Sequence, residues 1–128
     1  MVNFREFKTS SDKLVLAGKS AKNNEDLVAQ INPTEDVFHT KAPGSPFANI
    51  KSNRTNKLDR YEAATFCAAY SQDFRDNNSD VLVHHFKGSD INKSKLMKLG
   101  TFGVKKFKTV KVKKVDILKF KQWDQIFK

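Results

Sequence analysis

This sequence predicts an α+β fold: one compact domain over residues 1–128, built on a mostly antiparallel sheet with two main helices and a C-terminal amphipathic helix. Three observations predict it. Short segments such as FREFKT and VLVHHF alternate apolar and polar residues, the period of a half-buried strand. The longer segment LDRYEAATFCAAYSQ repeats small and apolar residues every three or four positions, the period of a helix face. The length, 128 residues, suits a single core and is short for two.

The elements follow in order. Phe4 to Thr9 reads as a strand, Ser-Ser-Asp as a turn, and KLVLAG from Lys13 to Gly18 as the antiparallel partner. Ser20 is placed to cap a helix, AKNNEDLVAQI, with Leu27, Val28 and Ile31 on one side; it stops at Asn32, before Pro33. Val37 to His39 is a strand, Pro43 and Gly44 a turn, and Phe47 to Lys51 the next strand. Proline cannot donate to a central ladder, so Pro43 and Pro46 belong in the turn.

Asn56 to Asp76 reads as one helix, with Leu58, Tyr61, Ala64, Thr65, Ala68, Ala69 and Gln72 on its stripe, packed on the sheet. A strand begins at Val81, GSDINKSKLMKLG is a polar connection, and strands with lysine on alternate positions follow through Val104, Phe107, Val110 and Val112. The tail VDILKFKQWDQIFK sets Ile117, Phe120, Trp123 or Asp124, and Phe127 near helical spacing. Eleven phenylalanines imply a core built largely on Phe. There is no internal repeat and no low-complexity linker.

No apolar run approaches the roughly 20 residues that span a bilayer, and MVNFREFKTS mixes charges where a signal peptide needs an unbroken apolar segment. The expectation is a cytoplasmic protein without membrane insertion. The lone Cys67 excludes an intrachain disulfide, and its setting AATFCAAY reads as a buried helical stripe.

Lysine and arginine number 24 against 14 acidic residues, a formal charge of +10. A small basic chain meets a polyanion, and in the cytosol the abundant one is RNA; an anionic membrane surface is the weaker alternative. The excess is uneven: from Lys87 to Lys128 there are 13 lysines against three aspartates. Lys105, Lys106, Lys108 and Lys111, with Lys93 and Lys95 before them, read as a lysine face over an apolar one, an electrostatic track for phosphates. Phe102 and Phe107 fall on the apolar phase and read as core; stacking on bases is the competing role.

In DVFHTKAPGSPFANI, His39 stands before a turn with two prolines and a glycine. Zinc needs closely spaced ligands, and His39, His84, His85 and Cys67 have no such spacing, so no metal and no cofactor is expected. A nucleophilic site would pair Ser45 with His39 and Asp36, yet nothing across a turn fixes the serine hydroxyl. An imidazole donating to a phosphate or to a turn carbonyl fits better, with Lys41 and Ser45 beside it; the plain alternative is a histidine that only locks the turn. The chain is therefore expected to be a binding protein and not an enzyme. The competing class is a small enzyme acting on a phosphorylated or nucleotide substrate with Asp36, His39 and Lys41.

The segments REFKTSSDKLVLAGKSAKNNEDLV, DVFHTKAPGSPFANI, EAATFCAAYS and NKSKLMKLGTFGVKKFK, in this order, resemble the NFACT-R domain family. The resemblance aligns a hairpin ending in Gly18, a helix with Asn24 and Glu25, a strand with Asp36 and His39, and a small-residue turn at Gly44. It continues with a helix of Glu62, Ala63 and Ala64 and a closing segment with Lys93, Lys95, Gly100 and Gly103. It implies RNA binding, to rRNA or tRNA on the large ribosomal subunit, in translation or ribosome quality control. In its best-known form the domain is one module of large proteins that bind obstructed large subunits with tRNA and help extend stalled chains. Their tRNA-handling domain and long coiled coil are not expected within these 128 residues. What the resemblance carries over is therefore ribosome or RNA contact and not the tailing activity, with a separate protein carrying the missing domains as a candidate partner.

Overall fold

The computed structural model describes residues 3–93, 99 and 102–127, of which residues 125–127 by backbone alone. Lys95 and Gly100 lie outside the described residues. Six strands form one antiparallel sheet in the order β1-β2-β4-β3-β5-β8: β1 Arg5–Lys8, β2 Leu14–Ala17, β3 Asp36–Thr40, β4 Ala48–Ile50, β5 Val81–Lys87 and β8 Lys108–Val112. A second, two-stranded sheet pairs β6 Ile91–Asn92 with β7 Gly103–Val104. The segment expected to be a plain polar connection thus holds a strand, and a turn of 3-10 helix at Gly88–Asp90 precedes it.

Period-two alternation gives the large sheet two apolar faces. Val15, Ala17, Phe38, Ala48, Ile50, Val81, Val83 and Val112 face α2 (Lys57–Ala69) and α4 (Lys114–Phe127), which bring Phe66, Cys67 and Ile117. Val37, Phe86 and the partly buried Leu16 face the other way, where Leu27 of α1 (Ala21–Ala29), Phe47 and Phe102 close a smaller core. Cys67 is fully buried. Its thiol lies 3.4 Å from the Pro46 carbonyl, and burial pushes its pKa up to about 12.

Local chemistry sets the boundaries. Ser20 Oγ accepts the Asn23 N–H and starts α1; Asn56 and Asp59 form a reciprocal capping box that starts α2. The β1–β2 tip is held to α2, as the Ser10 amide and hydroxyl donate to Glu62 (2.9 and 2.7 Å) and the Ser11 hydroxyl donates to Asp59 (2.5 Å). Glu62 therefore serves packing of the hairpin.

Asn56 to Asp76 is two helices, not one: α2 ends at Ala69 and α3 spans Gln72–Asn77. Ser71 breaks the run. Its hydroxyl donates to the Ala68 carbonyl (2.7 Å) and accepts the Phe74 N–H (3.1 Å), while the Gln72 N–H goes to the Gly44 carbonyl (2.8 Å) instead of back along the helix. α4 forms as expected, with Ile117 buried and Phe120 packed on the first core, while Trp123 meets Phe7 edge-on at 6.0 Å and stays 48% exposed.

Candidate nucleic-acid interface

α1 covers only part of its face of the sheet. Beyond it lies a cleft of about 780 Å³ whose floor includes His39, His84 and Phe86. One wall is the β2–α1 junction and the Pro43–Pro46 turn; the other holds Phe102, Val104 and Phe107. Arg5, Lys19, Lys41 and Arg75 line it, and among the described residues no carboxylate does. Lys19 and Lys41 are exposed and make no ion pair among the described residues. Arg5 donates to the Gly18 carbonyl (2.9 Å) and lies over the Tyr70 ring (4.3 Å); Arg75 is paired with Asp76 at 3.0 Å.

Gly18, Asn24 and Gly44, which the family resemblance singled out, shape the walls. Asn24 of α1 is buried and accepts the Phe47 N–H (3.1 Å), and a Cβ at Gly18 would overlap its Oδ1, so glycine there lets the helix approach the strand end. Gly44 has φ +85, the left-handed region, and its carbonyl anchors α3. Ser45 is spent inside the turn, where its hydroxyl accepts the Thr40 N–H (3.1 Å) and donates to the Pro46 carbonyl (3.0 Å). It fixes the turn rather than presenting a hydroxyl.

His39 Nδ1 lies 2.8 Å from the Thr40 carbonyl, an atom that only accepts, so Nδ1 carries the proton and Nε2 is the acceptor in the neutral ring. The ring tilts against Phe47 at 4.6 Å and faces His84 across the β3–β5 ladder. Burial lowers the pKa of His39, only partly offset by the Thr40 bond and reinforced by His84; burial and the charge of Lys41 lower that of His84. Phe107 is 50% exposed and stacks on His84, centroids 3.9 Å apart. This corrects the expectation that Phe107 is core: it sits just before β8, outside the strand phase, whereas Phe102 does pack in the smaller core.

Asp36 is on the other face, 1% exposed, receiving bonds from His85 Nε2 (2.7 Å), Lys87 Nζ (2.8 Å) and Thr55 Oγ1 (2.6 Å). Burial alone would raise its pKa, but bonds from His85, Lys87 and Thr55 outweigh it, and the carboxyl is held far below the ordinary carboxylate range. The polar cluster of Asp36, His39 and Lys41 is therefore not assembled. Three residues along a strand put Asp36 and His39 on opposite faces.

The lysine face is also divided. Lys105 and Lys106 precede β8, and within it Lys108 and Lys111, again three apart, project to opposite faces; Lys111 lies 3.6 Å from Asp80. Lys93 pairs with Glu25 (2.8 Å) and lies over Phe102 (4.6 Å). Gly103 begins β7 opposite Asn92. Arg5, Lys19, Arg75 and His84 escape the sequence reading because they come from four separate segments. Their one signal there is the absence of an acidic neighbour at Lys19.

A family model described as "NFACT protein RNA binding domain" matches residues 3–106. No curated protein matches the sequence. The chain is similar to a solved structure described as the C-terminal of the fibronectin/fibrinogen-binding protein from Streptococcus suis, with a TM-score of 0.78 at 21% identity. The match covers 87% of this chain and 45% of that one, so this chain spans less than half of the solved chain, and the likeness speaks for the fold alone.

Proposed function

The chain belongs to the NFACT RNA-binding domain family, and from that membership we propose that it binds RNA in the cleft over His39 and His84, contacting rRNA or tRNA on the large ribosomal subunit. Work in translation or ribosome quality control in the cytoplasm, beside a separate protein carrying other NFACT domains, completes the reading. The observation that carries it is the cleft lining: four cationic side chains, exposed aromatic surface, and no carboxylate among the described residues. Phosphates that bind such a lining release their condensed counterions to solvent, and His39 and His84 offer ring nitrogens to the RNA backbone.

Affinity for purified large subunits and for tRNA, measured across a salt series, tests this. With about four phosphates neutralised, log K against log salt falls with a slope of about −2.8 on single strands. Lys19→Glu with Lys41→Glu removes binding while the melting temperature stays put, because both side chains are exposed. A flat salt response, or full binding by that variant, would sink the reading.

A further inference from the structure

Phe107 is a boundary as well as a lining residue. On its far side from the cleft lies a second groove of about 590 Å³, lined by Lys87, Lys105, Lys106 and Lys108; Asp90, its one acidic residue among those described, accepts the Lys87 backbone N–H (3.1 Å). The Phe107 ring lines both grooves. One ring face is stacked on His84, which fixes its orientation, and half of the side chain remains exposed between two cationic channels.

We propose that Phe107 is a stacking platform for one unpaired base of a single-stranded RNA whose backbone runs from the cleft, past Phe107, into the groove of Lys105, Lys106 and Lys108. The inference rests on the reading of the cleft as an RNA site and adds to it the class of RNA. An aromatic ring left open between phosphate-binding channels is offered to a π-face, and every unpaired base has one. A paired base keeps its faces inside its own helix, so a duplex gains only the electrostatic part. His84 acts through Phe107 as a positioning residue.

The test compares a mixed-sequence single-stranded RNA of eight nucleotides with a duplex of the same sequence, by equilibrium binding at fixed salt. Phe107→Leu keeps the side chain apolar and removes the π-face. It is expected to weaken single-strand binding by roughly tenfold, the scale of one base-aromatic stack, and to change duplex binding less than twofold; Phe107→Trp retains single-strand affinity. Thermal melts confirm that each variant is folded. Equal losses on both RNAs, or no loss on either while Lys41→Ala weakens both, would overturn the platform and leave the cleft reading intact. Absence of binding to either RNA by the unsubstituted chain would overturn both.

Discussion

His84 and His85 are neighbours on β5 and live in opposite chemistry. His85 lies on the α2 face, stacked on Phe38 at 4.8 Å and bound to Asp36, which also holds Lys87 and Thr55. His84 lies on the cleft face, against Phe107 and opposite His39, with no carboxylate among the described lining residues. Around Asp36 the charges are matched from within; around His84 the cleft lining leaves positive charge for something else to match. A matched buried cluster serves the fold, and an unmatched exposed one is where a ligand gains most.

The largest expected effect breaks the matched side. Asp36→Ala strips His85, Lys87 and Thr55 of a shared acceptor. Loss of one member of a buried pair costs about 3–5 kcal/mol, and since Lys87 is half exposed we expect about 3 kcal/mol, roughly 10 °C in Tm. RNA affinity per folded molecule should not fall, since Lys87, released from Asp36, still lines the second groove. The same carboxyl has a lowered pKa, so its contribution is fully present above the unfolded value of about 3.9 and is lost as pH falls through that value toward the folded one. Asp36→Asn should flatten that acid limb in melts from pH 5 to pH 2. A variant as stable as the parent would make the cluster ornamental.

The next effect joins the two sides. Gly44→Ala places a side chain at φ +85 and against Gln72, for a cost of about 1–2 kcal/mol. Because the Gly44 carbonyl takes the Gln72 N–H, strain there loosens the cleft wall as well as the start of α3. Stability and RNA affinity should fall together, read by melting and by titration on the same samples. A loss of stability with unchanged affinity would show that the turn does not shape the site.

The two sides also differ in how much of them the sequence carried. The β1–β2 hairpin, α1 and the strands β3 to β5 follow from local alternation, a capping serine and the Pro-Gly turn, all encoded within a few residues. The split between α2 and α3 does not, because Gln72 continues the helical stripe and only the distant Gly44 carbonyl decides where its N–H goes. β6 and β7, two residues each, are too short to show a period. The cleft was legible at His39 and Lys41 but not as a whole: its cations arrive from β1, the β2–α1 junction, the β3–β4 turn and α3. A count of charge along the chain favours the C-terminal lysines, and the odd spacing of Lys108 and Lys111 divides even those between two faces.

The smallest effect is the finest probe of the unmatched side. Burial lowers the pKa of His39 and of His84, so in the free protein both rings are neutral near pH 7, and the unfolded chain takes up protons before the native one does. Stability should therefore decline as pH falls through about 6.5 toward the folded values. A bound phosphate reverses the preference, since an anion beside an imidazole favours its charged form. RNA affinity should then rise a few-fold between pH 7.5 and pH 6, with uptake of protons on binding, even as the free protein loses stability. Lys41 opposes protonation of His84, so Lys41→Met should move the rise toward higher pH while weakening binding overall. His39→Asn with His84→Asn should abolish the rise, and because Asp36 and His85 face away, Asp36→Asn should leave it untouched. Calorimetric titrations in buffers of different ionisation enthalpy count the protons directly. An affinity that falls with acidification would mean that the RNA phosphates do not reach the histidines, and that the cleft binds by its rim cations alone.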